Sequence, residues 1–253
     1  MTASPWIRRP RVVPEARIRL FCVPPAGAGP SFYARWLAEL APSVEVCLVH
    51  LPGRESRYGE PPVDDLDVIA ARVAEAAQPL LDRPYALFGH SMGALVAYEV
   101  AHRLPHEPER LFVAGATAPH RPSAEPAIAH LPDAEFLAQV RHGYDGIPDS
   151  VWTNQELLRL LLPMLRADFA ACERYRWPVR TPLGCDIHAC SGTGDHYVPK
   201  HGLAGWGDLT TGRCTVDVVG HGHFNLVSDR AAVLRLVREH LGPVAVLEGT
   251  RHD

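Results

Sequence analysis

A chain of 253 residues has room for one large domain or two small ones. Its composition, 47% hydrophobic, 21% charged and 8% aromatic at a mean hydropathy of -0.07, excludes a disordered, collagen-like or coiled-coil chain. A net charge of -4 excludes the bulk basic field of a nucleic-acid binder.

Read in chain order, residues 1–10 lack an apolar stretch, which predicts no signal peptide. Arg8, Arg9, Arg11, Arg17 and Arg19 make this arm basic; it reads as a solvated tail, with a docking contact as the alternative. Residues 17–23 read as a strand, then a Pro/Gly loop, then a helix over about 32–40. A second strand over 44–49 ends at Leu51-Pro52-Gly53. A helix follows, with Leu66, Ile69, Ala70, Val73, Ala77 and Leu80 on one face and Asp64 or Asp65 as its cap. Residues 85–88 and 110–115 read as strands flanking a helix over 94–104. Two more strands, 187–190 and 214–219, precede a helix over 229–241, for which Ser228 is the expected cap and Gly242-Pro243 the stop. This alternation predicts an α/β fold, a mostly parallel sheet covered by helices on both faces.

One stretch departs from the alternation. Residues 120–182 carry only helical patterning, with Phe136, Leu137 and Val140, then Leu157, Leu158, Leu161, Leu165 and Phe169. About 60 residues is too long for a simple crossover, so a lid or packed subdomain is expected there. No run approaches the ~20 apolar residues of a membrane span. The six cysteines form no C-x-x-C pair, and several lie in apolar runs; free thiols in a reducing cytoplasm are expected.

Chemistry concentrates in Gly89-His90-Ser91-Met92-Gly93, a G-x-S-x-G string between the apolar run 85–88 and a helix. A serine there sits on a tight strand-to-helix turn, where side chains at the flanking glycines would collide. The helix N-terminus behind it favours developing negative charge. A serine hydroxyl needs a base oriented by an acid, and in such folds the order is Ser, Asp/Glu, His. Asp195, just past a strand in Ser191-Gly192-Thr193-Gly194-Asp195, stands out as the acid. Asp186 precedes its strand, Asp217 lies within one, and Asp208 is weakly placed. The base is His221 or His223 of Gly220-His221-Gly222-His223. No further ligand cluster accompanies that H-x-H pair, so no metal is expected. His90 reads as structural. In the loop Pro24-Pro25-Ala26-Gly27-Ala28-Gly29, Pro25 has no N–H, which leaves Ala26, with Met92, as the expected oxyanion donors. Neither Walker A nor G-x-G-x-x-G is present, and no cofactor is expected.

With these segments in view, the chain resembles the discrete type II thioesterases of polyketide synthase and nonribosomal peptide synthetase pathways, a branch of the α/β-hydrolases. The resemblance runs from Phe21 to about Leu241. It rests on the Pro-x-Ala-Gly loop with Ser31-Phe32-Tyr33, on Leu51-Pro52-Gly53-Arg54 and on Phe88-Gly89-His90-Ser91-Met92-Gly93-Ala94. It continues through Leu162-Pro163-x-Leu165-Arg166-Ala167-Asp168-Phe169, Gly192-x-x-Asp195-x-x-Val198 and Gly222-His223-Phe224. It implies a single hydrolase domain over 1–253 with residues 120–182 as a helical lid, and Ser91, Asp195 and His223 as the triad. Two departures, Pro25 and Asn225, fall where the family usually has an aromatic or His and an aromatic or apolar residue; they bear on substrate preference.

The implied reaction is hydrolysis of acyl groups from the phosphopantetheine arm of an acyl or peptidyl carrier protein, removing aberrant groups from stalled assembly lines. The implied enzyme is a cytoplasmic monomer. Phe136, Val140, Tyr144, Leu161, Met164 and Leu165 are expected either to shape an acyl pocket or to pack the lid's own core. A general carboxylesterase or lipase, and a catalytically dead hydrolase-like binding protein, are the competing readings. The HGGG-type loop of many lipases is missing, which weighs against the first.

Overall fold

The computed structural model describes residues 4–121, 126–143, 147 and 149–242. Seven strands, β1 (Ile7–Arg8), β2 (Ile18–Val23), β3 (Val44–Val49), β4 (Tyr85–His90), β5 (Arg110–Ala114), β6 (Asp186–Thr193) and β7 (Cys214–His221), form one sheet in the order β1-β3-β2-β4-β5-β6-β7. All neighbours run parallel except β1, which pairs antiparallel with β3. The α/β expectation from the alternating pattern is met.

β2, β3 and β4 are buried along their whole length, because helices cover both faces. Successive side chains therefore serve two cores. Phe21, Val23, Leu87 and Val113 pack toward helices α1 (Leu66–Ala77) and α2 (Met92–Ala101). Leu20, Cys22, Phe88 and Phe112 pack toward Tyr33, Trp36 and the last long helix, which we label α5 (Arg230–Leu241). Between β5 and β6 lie α3 (Asp133–Gly143) and α4 (Gln155–Arg174), with a separate apolar cluster of their own.

The chain passes from β2 to β3 on one side and then crosses to β4 on the other. The loops after β2 and β4 therefore open side by side at the topological switch point, where α/β sheets form their sites.

Four local expectations need correction. The basic arm is no free tail: Ile7 and Arg8 pair with Val49 and Leu48, and Arg9 is spent on the buried carboxylate of Glu45 at 2.5 Å. The helix expected over 32–40 is two short turns, Pro30–Tyr33 and Trp36–Glu39. Strands β4, β6 and β7 run two to three residues further than their apolar runs, into the glycine-containing segments that bear the site. Ser228 does not cap α5; its hydroxyl donates to the His221 carbonyl, which ties down the loop before the helix. Of the two candidate caps for α1, Asp65 accepts from Val68 N–H, while Asp64 pairs with Arg174.

Candidate active site

β4 delivers Ser91 at its carboxyl end. The residue has φ 55° and ψ -120°, a left-handed strain for a side chain, and its N–H donates to the Ala114 carbonyl of β5. The turn closes only because its flanks are glycine. A Cβ on Gly89 would lie 2.0 Å from the Gly93 carbonyl oxygen, and one on Gly93 would lie 2.3 Å from that of Val23. Met92, as the first residue of α2, has an N–H with no intrahelical acceptor.

The remaining groups converge from β6 and β7. His223 Nδ1 lies 3.0 Å from Asp195 Oδ2, both side chains being almost wholly buried. Burial by itself disfavours the Asp195 carboxylate. Hydrogen bonds from His223, from the Ser191 hydroxyl (2.7 Å) and from the Tyr197 N–H (3.0 Å) outweigh it and hold the carboxyl below its usual range. Gly115 links this group to the serine. It directly follows the residue that holds the Ser91 N–H, and a Cβ on it would lie 3.3 Å from His223 Cε1. His221, the other candidate base, is exposed and bonded to Thr193. The rejected acids lie elsewhere: Asp186 with Arg110, Asp208 with His120 and Arg121, and Asp217 beside His188.

Ala26 lies in the loop after β2 and packs against the α3–α4 cluster. Phe136, Val140, Met164 and Leu165 are buried in that cluster, and Leu161 packs on it partly exposed. Tyr144 lies outside the described residues.

A strained serine before a helix N-terminus, beside a buried histidine–carboxylate pair, is equipped for nucleophilic acyl transfer. The thioesterase-domain family model matches residues 18–241. The chain belongs to the thioesterase family. It is a thioester hydrolase by that membership, and its similarity to pathway thioesterases is nearly full-length. It is 35% identical to Thioesterase PikA5 of Streptomyces venezuelae over 93% of this chain and 85% of that one. It is 38% identical to a Brevibacillus parabrevis protein named Linear gramicidin dehydrogenase LgrE, over 95% and 94%. The thioesterase carries no G-x-G-x-x-G loop to match that second name. In structure it is similar to the type II thioesterase BorB from the borrelidin biosynthetic cluster, with a TM-score of 0.86, 37% identity and coverage of 94% and 98%.

Sequence reasoning missed two groups in this thioesterase. Ser191 donates to Asp195 from within β6, where the register shifts between Ser191 and Thr193; no pattern in the sequence marks that bulge. His90, read as structural, also touches the site. Its Nε2 lies 2.9 Å from the His223 carbonyl. A carbonyl only accepts, so this nitrogen carries the proton and anchors the loop that bears His223. Burial, reinforced by neighbouring His223, pushes His90 down to about 3, so it stays neutral. Phe32 stacks on its ring. Asn225, one of the two departures from the family, is fully buried and donates to the Val219 carbonyl at 2.8 Å. Its contact is with the end of β7.

A second titratable cluster lies away from the switch point. His188, Asp217 and His240 bring ligand-type atoms within 4.8 Å of one another between β6, β7 and α5. The two imidazoles pack ring against ring, with centroids 4.1 Å apart, and His188 Nδ1 is bonded to Thr215 Oγ1. This contact joins α5 to the sheet.

Proposed function

We propose that the chain hydrolyses acyl thioesters carried on the phosphopantetheine arm of acyl or peptidyl carrier proteins, and so clears stalled or mis-primed polyketide or nonribosomal peptide assembly lines. The observation that carries the reading is the buried His223–Asp195 pair beside the strained Ser91. His223 takes the Ser91 proton as Oγ attacks the thioester carbonyl carbon, and Asp195 holds the resulting imidazolium. The N–H groups of Met92 and Ala26 receive the tetrahedral oxyanion. The C–S bond then breaks. The departing thiolate, of pKa ~8.5, needs a proton less than an amine would, but it takes the Ser91 proton from His223 and leaves as the free thiol, which returns His223 to its basic form. Water, deprotonated by His223, attacks the acyl-enzyme, and His223 returns that proton to Ser91 Oγ as the carboxylic acid departs.

Residues 120–182 act as the lid, and the α3–α4 cluster, including Phe136, Val140, Leu161, Met164 and Leu165, offers the apolar wall for the acyl chain. The six cysteines are unpaired, which suits a reducing cytoplasm. Among the described residues no helix is long and apolar enough to cross a membrane.

The test is a hydrolysis panel of carrier-bound acyl groups, short to long, set beside simple oxygen esters. Carrier thioesters are expected to give the higher kcat/KM; a clear preference for oxygen esters rejects the reading in favour of a general esterase. Ser91→Ala is expected to abolish turnover, and unchanged hydrolysis would remove the serine mechanism altogether.

A further inference from the structure

Two of the segments that mark the family, Leu51-Pro52-Gly53-Arg54 and Leu165-Arg166-Ala167-Asp168-Phe169, supply no group to the acyl-transfer chemistry. The tertiary structure joins them to each other and to the loop that bears Ala26. Arg54 and Asp168 form a two-pronged ion pair, 2.8 Å at each contact, with 4% and 0% of their side chains exposed. Each then reaches one residue of the loop after β2. Asp168 Oδ2 accepts the Gly27 N–H at 2.8 Å, and Arg54 Nη1 donates to the Ala28 carbonyl at 3.0 Å. Arg54 Nε also donates to the Pro52 carbonyl, which secures the guanidinium in its own loop.

Packing adds a third constraint. Leu165, one turn before Asp168 on α4, touches Gly27 so closely that a Cβ there would lie 2.5 Å from its Cδ2. Gly27 also has φ 77°, which permits the loop to turn back at this point. The two residues that follow Ala26 are thus held by an N–H contact, a C=O contact and a side-chain contact, all from one buried cluster.

A buried ion pair is weak grounds for stability, because apolar residues of similar volume often serve as well. What an apolar pair cannot do is grip a backbone N–H and a backbone C=O of the same loop. Oxyanion donors act only when pre-set within about 2.7–3.1 Å of the developing charge, and a displacement of about 1 Å can cost roughly 100-fold in rate.

We infer that Arg54 and Asp168 are positioning residues for thioester hydrolysis: the pair orients the Ala26 N–H toward the oxyanion and ties that donor to helix α4. The inference rests on Ala26 and Met92 being the oxyanion donors. It also makes the half of α4 after Pro163 a wall of the site and the fixed end of the proposed lid.

Asp168→Asn, Arg54→Lys and the apolar double variant Arg54→Met/Asp168→Leu test it. The readouts are kcat and KM on a carrier-bound acyl thioester, Tm, and the affinity of an alkylboronic acid, whose boron takes the Ser91 oxygen to form a tetrahedral anion. Lysine cannot reproduce the guanidinium fork, so Arg54→Lys should lose activity while keeping the charge. For all three, kcat is expected to fall about 10- to 100-fold with KM within about twofold, and boronate affinity to fall in step. The double variant is expected to stay impaired even where its Tm matches the wild type. Recovery of kcat and boronate affinity in the double variant overturns the inference, as do unchanged values in Asp168→Asn and Arg54→Lys. Ser91→Ala serves as the control. If it still hydrolyses, the site reading fails; if it is inactive while the pair variants are normal, only the positioning role fails.

Discussion

The proposed triad shows what a single side chain contributes beyond its identity. Asp195 is held by three donors, from His223, Ser191 and the Tyr197 backbone, and their sum keeps it ionised despite burial. Replacing Asp195 with Asn presents an amide to the His223 ring and favours the wrong tautomer, so kcat is expected to fall roughly 10³- to 10⁴-fold, measured by steady-state hydrolysis. Ser191→Ala removes one charge-assisted bond and leaves the other two. A loss of ~1.5 kcal/mol, about tenfold in kcat, is expected, and a wild-type rate would show that Ser191 contributes no orientation. Ser91 was readable from the sequence because glycines at both flanks answer a steric demand of one short turn. Ser191 was not, because its contact depends on an irregularity in β6 that only pairing with β7 creates.

At the level of elements, the β4–α2 junction and helix α4 behave differently. The junction is rigid by backbone contact: a Cβ on Gly93 would meet the Val23 and Pro24 carbonyl oxygens at 2.3 and 2.8 Å, and neither is a flexible side-chain end. Gly93→Ala is therefore expected to destabilise the fold by ~2–3 kcal/mol and to displace Ser91, seen as a lowered urea midpoint together with lost turnover. Helix α4 was legible as a helix from its apolar spacing, and the whole 120–182 stretch as strand-poor. Its division into halves was not. Pro163 removes one backbone donor within the helix. Beyond it the residues turn inward, with Met164, Leu165 and Asp168 buried, while Leu160 is 44% exposed. Arg166 further binds the carbonyl of Leu131 and Glu173 the N–H of Ile128, which moors the start of the helical segment to α4.

For the molecule as a whole, acid sensitivity follows from burying histidines in the neutral form. His90 and His188 are each pushed to about 3, chiefly by burial, against an ordinary value of 6.5. Below pH ~6.5 the unfolded chain takes up these protons and the folded chain does not, until the pH nears 3. The stability the two groups contribute is therefore complete above pH 6.5 and is lost as the pH falls through that window. Urea unfolding at pH 7.5 and 5 is expected to show this drop. In His90→Gln the drop is expected to be smaller by on the order of 2 kcal/mol, and an equal drop would refute the assignment of a neutral His90. The net charge of -4 remains a property of the whole chain, and the arm once available as a basic tail has Arg9 committed to Glu45.

By itself the sequence determined the alternating α/β architecture and the helical character of the middle segment, and it singled out the Ser91 turn and Asp195 as the proposed nucleophile and acid. Each rests on local chemistry: apolar periodicity, glycines where a Cβ cannot fit, and polar residues just past strand ends. Only the tertiary structure set His223 rather than His221 against Asp195, converted a basic arm into an edge strand, and brought Arg54 and Asp168 together from 114 residues apart. Those outcomes depend on which strands become neighbours and on how far their ladders extend. Pairing of that kind is a property of the assembled sheet, and no short window of residues encodes it.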